Sequence, residues 1–179
     1  IGVTGSTGLV GSALIPLLTP LGHDVVGLRR LTESEQGHEG WNPTTGRVTV
    51  SENALDALVH LAGENIASGR WNAARKSRIR DSRVDGTRRL AEALAGQAQR
   101  PHTLVVASAI GYYGDRGNEC LTESSTAGEG FLPEVCHAWE GATAPAKDAG
   151  IRVIHLRIGI VLTPNGGALA QMLLPFKMG

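Results

Sequence analysis

Three glycines near the start of this 179-residue chain, Gly5, Gly8 and Gly11, recur every third residue in the run Ile1-Gly2-Val3-Thr4-Gly5-Ser6-Thr7-Gly8-Leu9-Val10-Gly11. Strand-forming residues precede them and a helix pattern follows. A strand, a tight glycine turn and a helix start form the arrangement that receives a dinucleotide pyrophosphate. Gly5 permits the turn, Gly8 removes a side chain where backbone must approach phosphate, and Gly11 lets the helix pack closely on the strand. Ser6, Thr7, Leu9 and Val10 complete the cradle, whose N–H groups face the phosphates with the positive end of the helix dipole. The spacing is G-x-x-G-x-x-G, not the commoner G-x-G-x-x-G. A second pair with chemistry is Arg29 and Arg30, just beyond the next strand. NAD sites place an acid there for the ribose hydroxyls, whereas two guanidinium groups suit a 2′-phosphate. This predicts NADP in preference to NAD; the competing reading is two solvated loop arginines.

Those residues need elements to hold them. Leu9, Ala13 and Leu17, with Val10, Leu14 and Leu18, form two i, i+4 rows of an apolar helix face, and Pro16 predicts a kink or an early end. Gly22-His23 turns the chain into a strand over 24–28, completing a βαβ unit. A polar loop to Gly40 follows, then a strand, turn and strand over 41–50 and a strand over 57–61. A long helix is expected over 72–95, an apolar strand over 103–107 ending at Ser108, a Gly/Ser/Thr-rich loop to Gly130, a mostly helical stretch over 131–149 and a strand over 151–158. Apolar strands alternating with helices predict an α/β fold, a doubly wound parallel sheet of Rossmann type. Gly5, Arg29, Ala62, Ser108 and Gly159 all fall at the carboxyl ends of expected strands, the rim where such sheets bind ligands.

Composition narrows the partners. Lys plus Arg and Asp plus Glu are both 17, giving zero net charge. The basic run from Arg75 to Arg89 reads as the polar face of a helix, without the aromatic platform of a nucleic-acid groove. Cys120 and Cys136 offer no disulfide framework and the histidines no metal-ligand spacing, so no metal site is expected. No apolar run approaches the ~20 residues needed to cross a bilayer, and no secretory leader is visible, so a cytoplasmic setting is expected. The length suits one domain over residues 1–179. The chain opens inside its first strand without an initiator Met and closes on Met178-Gly179 after an apolar helical stretch, which reads as an excerpt of a longer protein.

The chain resembles the extended or atypical short-chain dehydrogenase/reductase superfamily, and within it the nucleoside-diphosphate-sugar epimerase-like group. The residues carrying the likeness are Val3 to Gly11, His60-Leu61-Ala62-Gly63-Glu64-Asn65-Ile66, Arg70-Trp71, Ser82-Arg83-Val84-Asp85-Gly86-Thr87-Arg88, Ser108-Ala109-Ile110-Gly111-Tyr112-Tyr113-Gly114, Trp139-Glu140, Leu156 to Leu162 and Gly166-Gly167. The resemblance implies that Leu61, Ala62 and Gly63 line the adenine and ribose side of the cofactor. It also implies that Ser108, following Ala107, is the active-site serine, and that Ile158, Gly159 and Ile160 lie beside the nicotinamide. Glu64 and Arg83 join the cofactor-side residues; for Glu64 a loop carboxylate and a substrate contact are both open. The implied chemistry is hydride transfer at a carbinol carbon of a small-molecule substrate, with a nucleotide sugar as one candidate. The superfamily often dimerises through paired helices, and the long helix after Trp71 is the candidate surface for a homodimer.

One departure stands against these matches. The superfamily's proton-transfer pair is Tyr-x-x-x-Lys, in which the lysine lowers the tyrosine pKa. Counting back from Trp139-Glu140 puts Leu132 and Cys136 at those positions, and no Tyr-x-x-x-Lys occurs anywhere. Tyr112 is the replacement candidate, with Arg83 or Arg157 stabilising its anion; against this, Tyr112 packs or lines the cofactor. Ser108 has a capping role as its competing reading, Cys136 reads as a small buried filler, and Trp41, Trp71 and Trp139 as packing residues. The alternative function is an NADP-dependent sensor or scaffold without turnover, since binding a nucleotide does not establish chemistry.

Overall fold

The computed structural model describes residues 1–32, 34–35, 38–50, 55–66, 69–164 and 166–178. Glu33, Gln36 and Gly37 of the expected polar loop, and the terminal Gly179, lie outside the described residues. In chain order the elements are β1 (Gly2–Thr4), α1 (Leu9–Leu18), β2 (Val26–Leu28), β3 (Gly40–Trp41), β4 (Val48–Thr49), β5 (Ala57–His60), α2 (Ala73–Ala95), β6 (Thr103–Ala109), α3 (Phe131–Gly141), α4 (Ala144–Asp148), β7 (Arg152–Ile158) and α5 (Gly167–Met178). Five strands form one sheet in the order β2-β1-β5-β6-β7, every neighbouring pair parallel. From β1 the chain winds outward to β2, and from β5 it winds the other way to β6 and β7. The order therefore reverses between β1 and β5, the switch point at which doubly wound sheets bind nucleotides. The short β3–β4 hairpin is antiparallel and meets the end of β2 through an Arg30–Trp41 bridge.

Register decides which side chains share a face. Thr4 stands beside Leu28 and His60, His60 beside Val106, and Val106 beside His155. One pleat further on, Ser108 stands beside Arg157. Residues in register, and those two apart along a strand, point the same way. Thr4, His60, Val106, Ser108 and Arg157 therefore face one side, which α2 and α3 cover. Leu58, Leu104 and Val106 are fully buried there with Leu90 and Leu94 of α2 and with Trp139 of α3. Burying each such leucine contributes ~2 kcal/mol, so this layer fixes the face that the even-numbered residues of β6 adopt.

Several local expectations change. Pro16 does not stop α1, which runs two residues past it before a 3₁₀ turn over Thr19–Leu21; so close to the helix end, the missing N–H and ring cost few bonds. The two apolar rows of α1 are not buried as a face: only Gly11 is fully buried, and Leu9, Leu14 and Leu17 line a groove of about 590 Å³ with Ile158 and Val161. β6 extends to Ala109, so Ser108 lies within the ladder and not at its end. The helical stretch after Gly130 divides into α3 and α4 at Ala142 and Thr143, ahead of Pro145. Arg75 is not part of a solvated face; it is buried and bonds Glu64 Oε1 (3.1 Å) and the Asn65 carbonyl. Trp41 and Trp139 are buried, while Trp71 is 38% exposed and packs edge-on against Phe131.

Candidate functional site

The glycine turn adopts the geometry its spacing predicts. Gly5 has φ 68°, a conformation that side chains disfavour, and its carbonyl accepts from the Gly8 N–H at 2.9 Å. A Cβ on Gly11 would sit 2.4 Å from the Gly5 oxygen and 2.8 Å from Ser6 Cα, so only glycine lets α1 approach the turn. Gly8 caps α1 without a side-chain bond, and the first turn carries no acid. Among the described residues no side chain caps the N–H groups at this helix start, the arrangement that suits an anion. Ser6 closes on β2, 3.1 Å from where a Gly27 Cβ would stand, which joins the turn to the end of that strand. Thr7 is exposed, while Leu9 and Val10 are half-buried. Beyond β7, a Cβ on Gly166 or Gly167 would meet the Leu9 methyls at 3.3 and 3.1 Å, so this segment crosses the start of α1.

A cavity of about 420 Å³ opens beside the ends of β2 and β5, with Arg30, Trp41, Ala62, Gly63 and Glu64 in its wall. Five residues expected on the cofactor side thus meet around one space or its edge: Arg30, Ala62, Gly63, Glu64 and, packed beneath them, Arg83. Leu61 continues from β5, its N–H bonded to the Thr4 carbonyl at 3.2 Å. Arg83 Nη1 donates to the Glu64 carbonyl (3.1 Å) and the Ile79 carbonyl (3.2 Å), and its guanidinium lies 5.1 Å over the Trp139 ring. Burial pulls the Arg83 pKa down, against the pull of nearby Cys136 and Glu64. Arg29 and Arg30 separate: Arg30 reaches the cavity, and Arg29 pairs with Glu35 at 2.7 Å.

Under the cleft floor, His60 is fully buried between Thr4 and Trp41. Its Nδ1 lies 2.7 Å from Thr4 Oγ1, and its ring meets Trp41 edge-on at 5.0 Å. Burial drops its pKa from 6.5 to about 4, which holds it neutral at physiological pH.

At the expected catalytic end, Ser108 does not stand free. Its hydroxyl donates to Glu140 Oε1 at 2.7 Å. Arg157 donates to the same carboxylate through Nε and Nη2, both at 2.9 Å, and through Nη1 to Tyr113 Oη at 2.9 Å. Burial raises the Glu140 pKa, but the bonds from Arg157 and Ser108 outweigh it and leave the carboxyl below its ordinary value. Tyr112 lies across this cluster with the Arg157 guanidinium 3.6 Å from its ring centre, a cation–π contact. The partner of Tyr112 is thus Arg157, and Arg83 packs elsewhere. Leu132, Cys136 and Glu140 recur every four residues on α3 and share one stripe. Leu132 and Cys136 both come within 4 Å of a Cβ placed on Gly111, just after Ser108. The Tyr and Lys positions of the resemblance therefore face the turn after the serine, but carry a leucine and a thiol whose pKa burial raises. Ala107 is buried, and Ile158, Gly159 and Ile160 run out of β7 beside Ile110. Glu140 and Tyr113 went unassigned in the sequence; the stripe from Leu132 to Glu140 was the signal for the first. Among the described residues, no group of three or more His, Cys, Asp or Glu is placed to hold a metal ion, and no helix is long and apolar enough to cross a membrane.

A switch-point sheet with an uncapped glycine turn defines a Rossmann-type NAD(P)-binding protein of short-chain dehydrogenase/reductase architecture. The chain belongs to the NAD dependent epimerase/dehydratase family, whose model matches residues 1–171. The epimerase family protein MT2273 of Mycobacterium tuberculosis is 40% identical over 180 residues, covering 100% of this chain and 59% of the relative. The nucleoside-diphosphate sugar epimerase of Corynebacterium glutamicum superposes with a TM-score of 0.82 at 45% identity, over 99% of this chain and 37% of that one. Human epimerase family protein SDR39U1 (isoform 2), solved with NADPH, gives 0.83 at 32% identity, over 99% and 59%. The chain thus spans less than two thirds of the length of each of these proteins.

Proposed function

We propose that this chain forms the NADP(H)-binding part of an epimerase-family oxidoreductase. The observation that carries the reading is Arg30 in the wall of the cavity at the end of β2, one strand from the uncapped turn. In this reading the turn from Gly5 to Gly11 holds the pyrophosphate, Arg30 pairs with the 2′-phosphate, and Ala62 and Gly63 face the adenosine. The NADPH bound by the similar human protein supports the choice of nucleotide. When bound, NADP(H) supplies or accepts a hydride at the nicotinamide. The residues of the chain then orient a carbinol oxygen and move its proton. Ser108 has committed its own proton to Glu140, so it presents lone pairs and can accept from a substrate hydroxyl. Tyr112 is the proton relay of this reading, with the Arg157 guanidinium stacked over its ring. A nucleoside-diphosphate sugar is the proposed substrate class, in keeping with the name of the similar corynebacterial protein.

The Leu132 and Cys136 positions favour a second reading, an NADP(H)-dependent sensor or scaffold without turnover. Calorimetric titration of the full-length protein with NADPH and NADH tests the first step. Arg30→Ala is expected to weaken NADPH about tenfold and leave NADH within about twofold. Equal losses for both, or none, would remove the 2′-phosphate reading. Steady binding of NADPH with no hydride exchange across a panel of nucleotide sugars would leave the sensor.

A further inference from the structure

We propose that Glu35 competes with the 2′-phosphate of NADP(H) for the donors of Thr32 and Arg29, and so sets the preference between the two dinucleotides. This rests on the NADP(H) reading above. The carboxylate of Glu35 is held by three donors of different kinds: Oε2 accepts from the Thr32 backbone N–H at 3.0 Å and from the Thr32 hydroxyl at 2.9 Å, and Oε1 accepts from Arg29 Nη1 at 2.7 Å. A backbone N–H, a hydroxyl and a guanidinium converging on one anion form the donor set of a phosphate site, here closed by a side chain of the same loop.

The place is as telling as the chemistry. β2 ends at Leu28, in register with Thr4, the last residue before the glycine turn, and Ser6 of that turn packs against Gly27. Arg29 to Thr32 therefore leave the rim next to the pyrophosphate cradle, where the adenosine ribose of a dinucleotide lies. The Thr32 backbone, the Thr32 hydroxyl and Arg29, in that order, lower the Glu35 carboxyl to about 2, so it stays an anion at every physiological pH. Arg29 is 53% exposed, and so open an ion pair is held weakly enough for a more highly charged phosphate to exchange with it. NAD(H) carries a neutral hydroxyl in place of the 2′-phosphate, which contends for these charge-assisted donors only weakly. Glu35 consequently penalises NADP(H) far more than NAD(H).

The experiment titrates full-length wild type, Glu35→Gln and Glu35→Ala with NADPH, NADH and adenosine 2′,5′-bisphosphate, at low and at high salt. Both substitutions are expected to tighten NADPH and the bisphosphate about three- to tenfold at low salt, with a smaller gain at high salt, and to leave NADH within about twofold. An unchanged or lowered NADPH-to-NADH ratio overturns the proposal. So does weaker NADH binding in Glu35→Gln, which would make Glu35 a ribose-hydroxyl acceptor. Should wild type favour NADH, the NADP(H) reading itself fails. The ratio in the variants still decides, because a displaced carboxylate predicts a gain in 2′-phosphate binding from any starting preference. Thermal melting of the three proteins separates a folding defect from a binding effect.

Discussion

The neutral, fully buried His60 makes stability fall as the medium becomes mildly acidic. Its ring is held by Thr4 and Trp41, and burial lowers its pKa from 6.5 to about 4. Between those values the unfolded chain takes up a proton that the folded chain refuses. Stability is therefore complete above about 6.5 and drains away as pH falls towards 4. Across pH 7.5 to 5.0 the two-pKa linkage relation gives a loss of about 2 kcal/mol from this one group. His155 is shifted the same way by burial, so the wild-type loss alone does not isolate His60. The difference between wild type and His60→Asn does, since Asn places an amide near Nδ1 to meet Thr4 and does not titrate. The assay is urea unfolding of the full-length protein at pH 7.5, 6.0 and 5.0. His60→Asn is expected to be less stable at pH 7.5 by about 2 kcal/mol, through the space left beside Trp41. Its further loss down to pH 5.0 should be smaller than that of wild type by about 2 kcal/mol. Equal losses in the two proteins would refute a buried neutral histidine beneath the cleft.

Two further outcomes follow from the packing. Gly11→Ala drives a Cβ to 2.4 Å from the Gly5 oxygen, a backbone atom that cannot turn aside. It should cost about 1–3 kcal/mol and weaken either dinucleotide at least tenfold by calorimetry. Gly141→Ala, where a Cβ meets nothing within 4 Å, should do neither. Glu140→Gln leaves Arg157 without its counter-charge at a pair whose side chains are 13% and 18% exposed, for an expected loss of about 2–4 kcal/mol in the unfolding free energy from urea denaturation at pH 7. Because the folded carboxyl lies below its ordinary value, that contribution is present above about 4.5 and fades as pH falls through the folded pKa. A loss under about 0.5 kcal/mol would show that Glu140 is not the lock on Arg157.

What was legible in the sequence was what is local. The turn from Gly5 to Gly11 could be read because strand, glycines and helix are contiguous, and the physical reason for each glycine lies within a few residues of it. The parallel sheet followed from apolar strands separated by helices, and α2 from its cap at Asn72 through Ala95. The rim was only partly legible. Arg29 and Arg30 are neighbours with the same chemistry, yet one reaches the cavity and the other pairs with Glu35; the bridge from Arg30 to Trp41 separates their directions, and a hairpin sets it.

The serine shows where local reading stops. Alternation along β6 says that Ser108 shares a face with Leu104 and Val106, but not which layer covers that face. The answer comes from partners 32 and 49 residues along the chain: Glu140 on α3, which accepts the hydrogen bond of the serine hydroxyl, and Arg157 on β7, which stands beside it in register. A serine whose hydroxyl is free can donate to a carbonyl oxygen; one that already donates to a half-buried carboxylate is left with lone pairs to accept. The same residue type at the same motif position can thus offer a donor or only an acceptor, and the network behind it decides which. Glu140 stands on the stripe where the resemblance places the tyrosine and lysine, so α3 retains a face turned to the serine while its polar group has become an acceptor held by Arg157. In the function proposed above, substrate recognition at Ser108 therefore favours a hydroxyl donor over a carbonyl, and the proton of that hydroxyl moves through Tyr112 and beyond, not through α3.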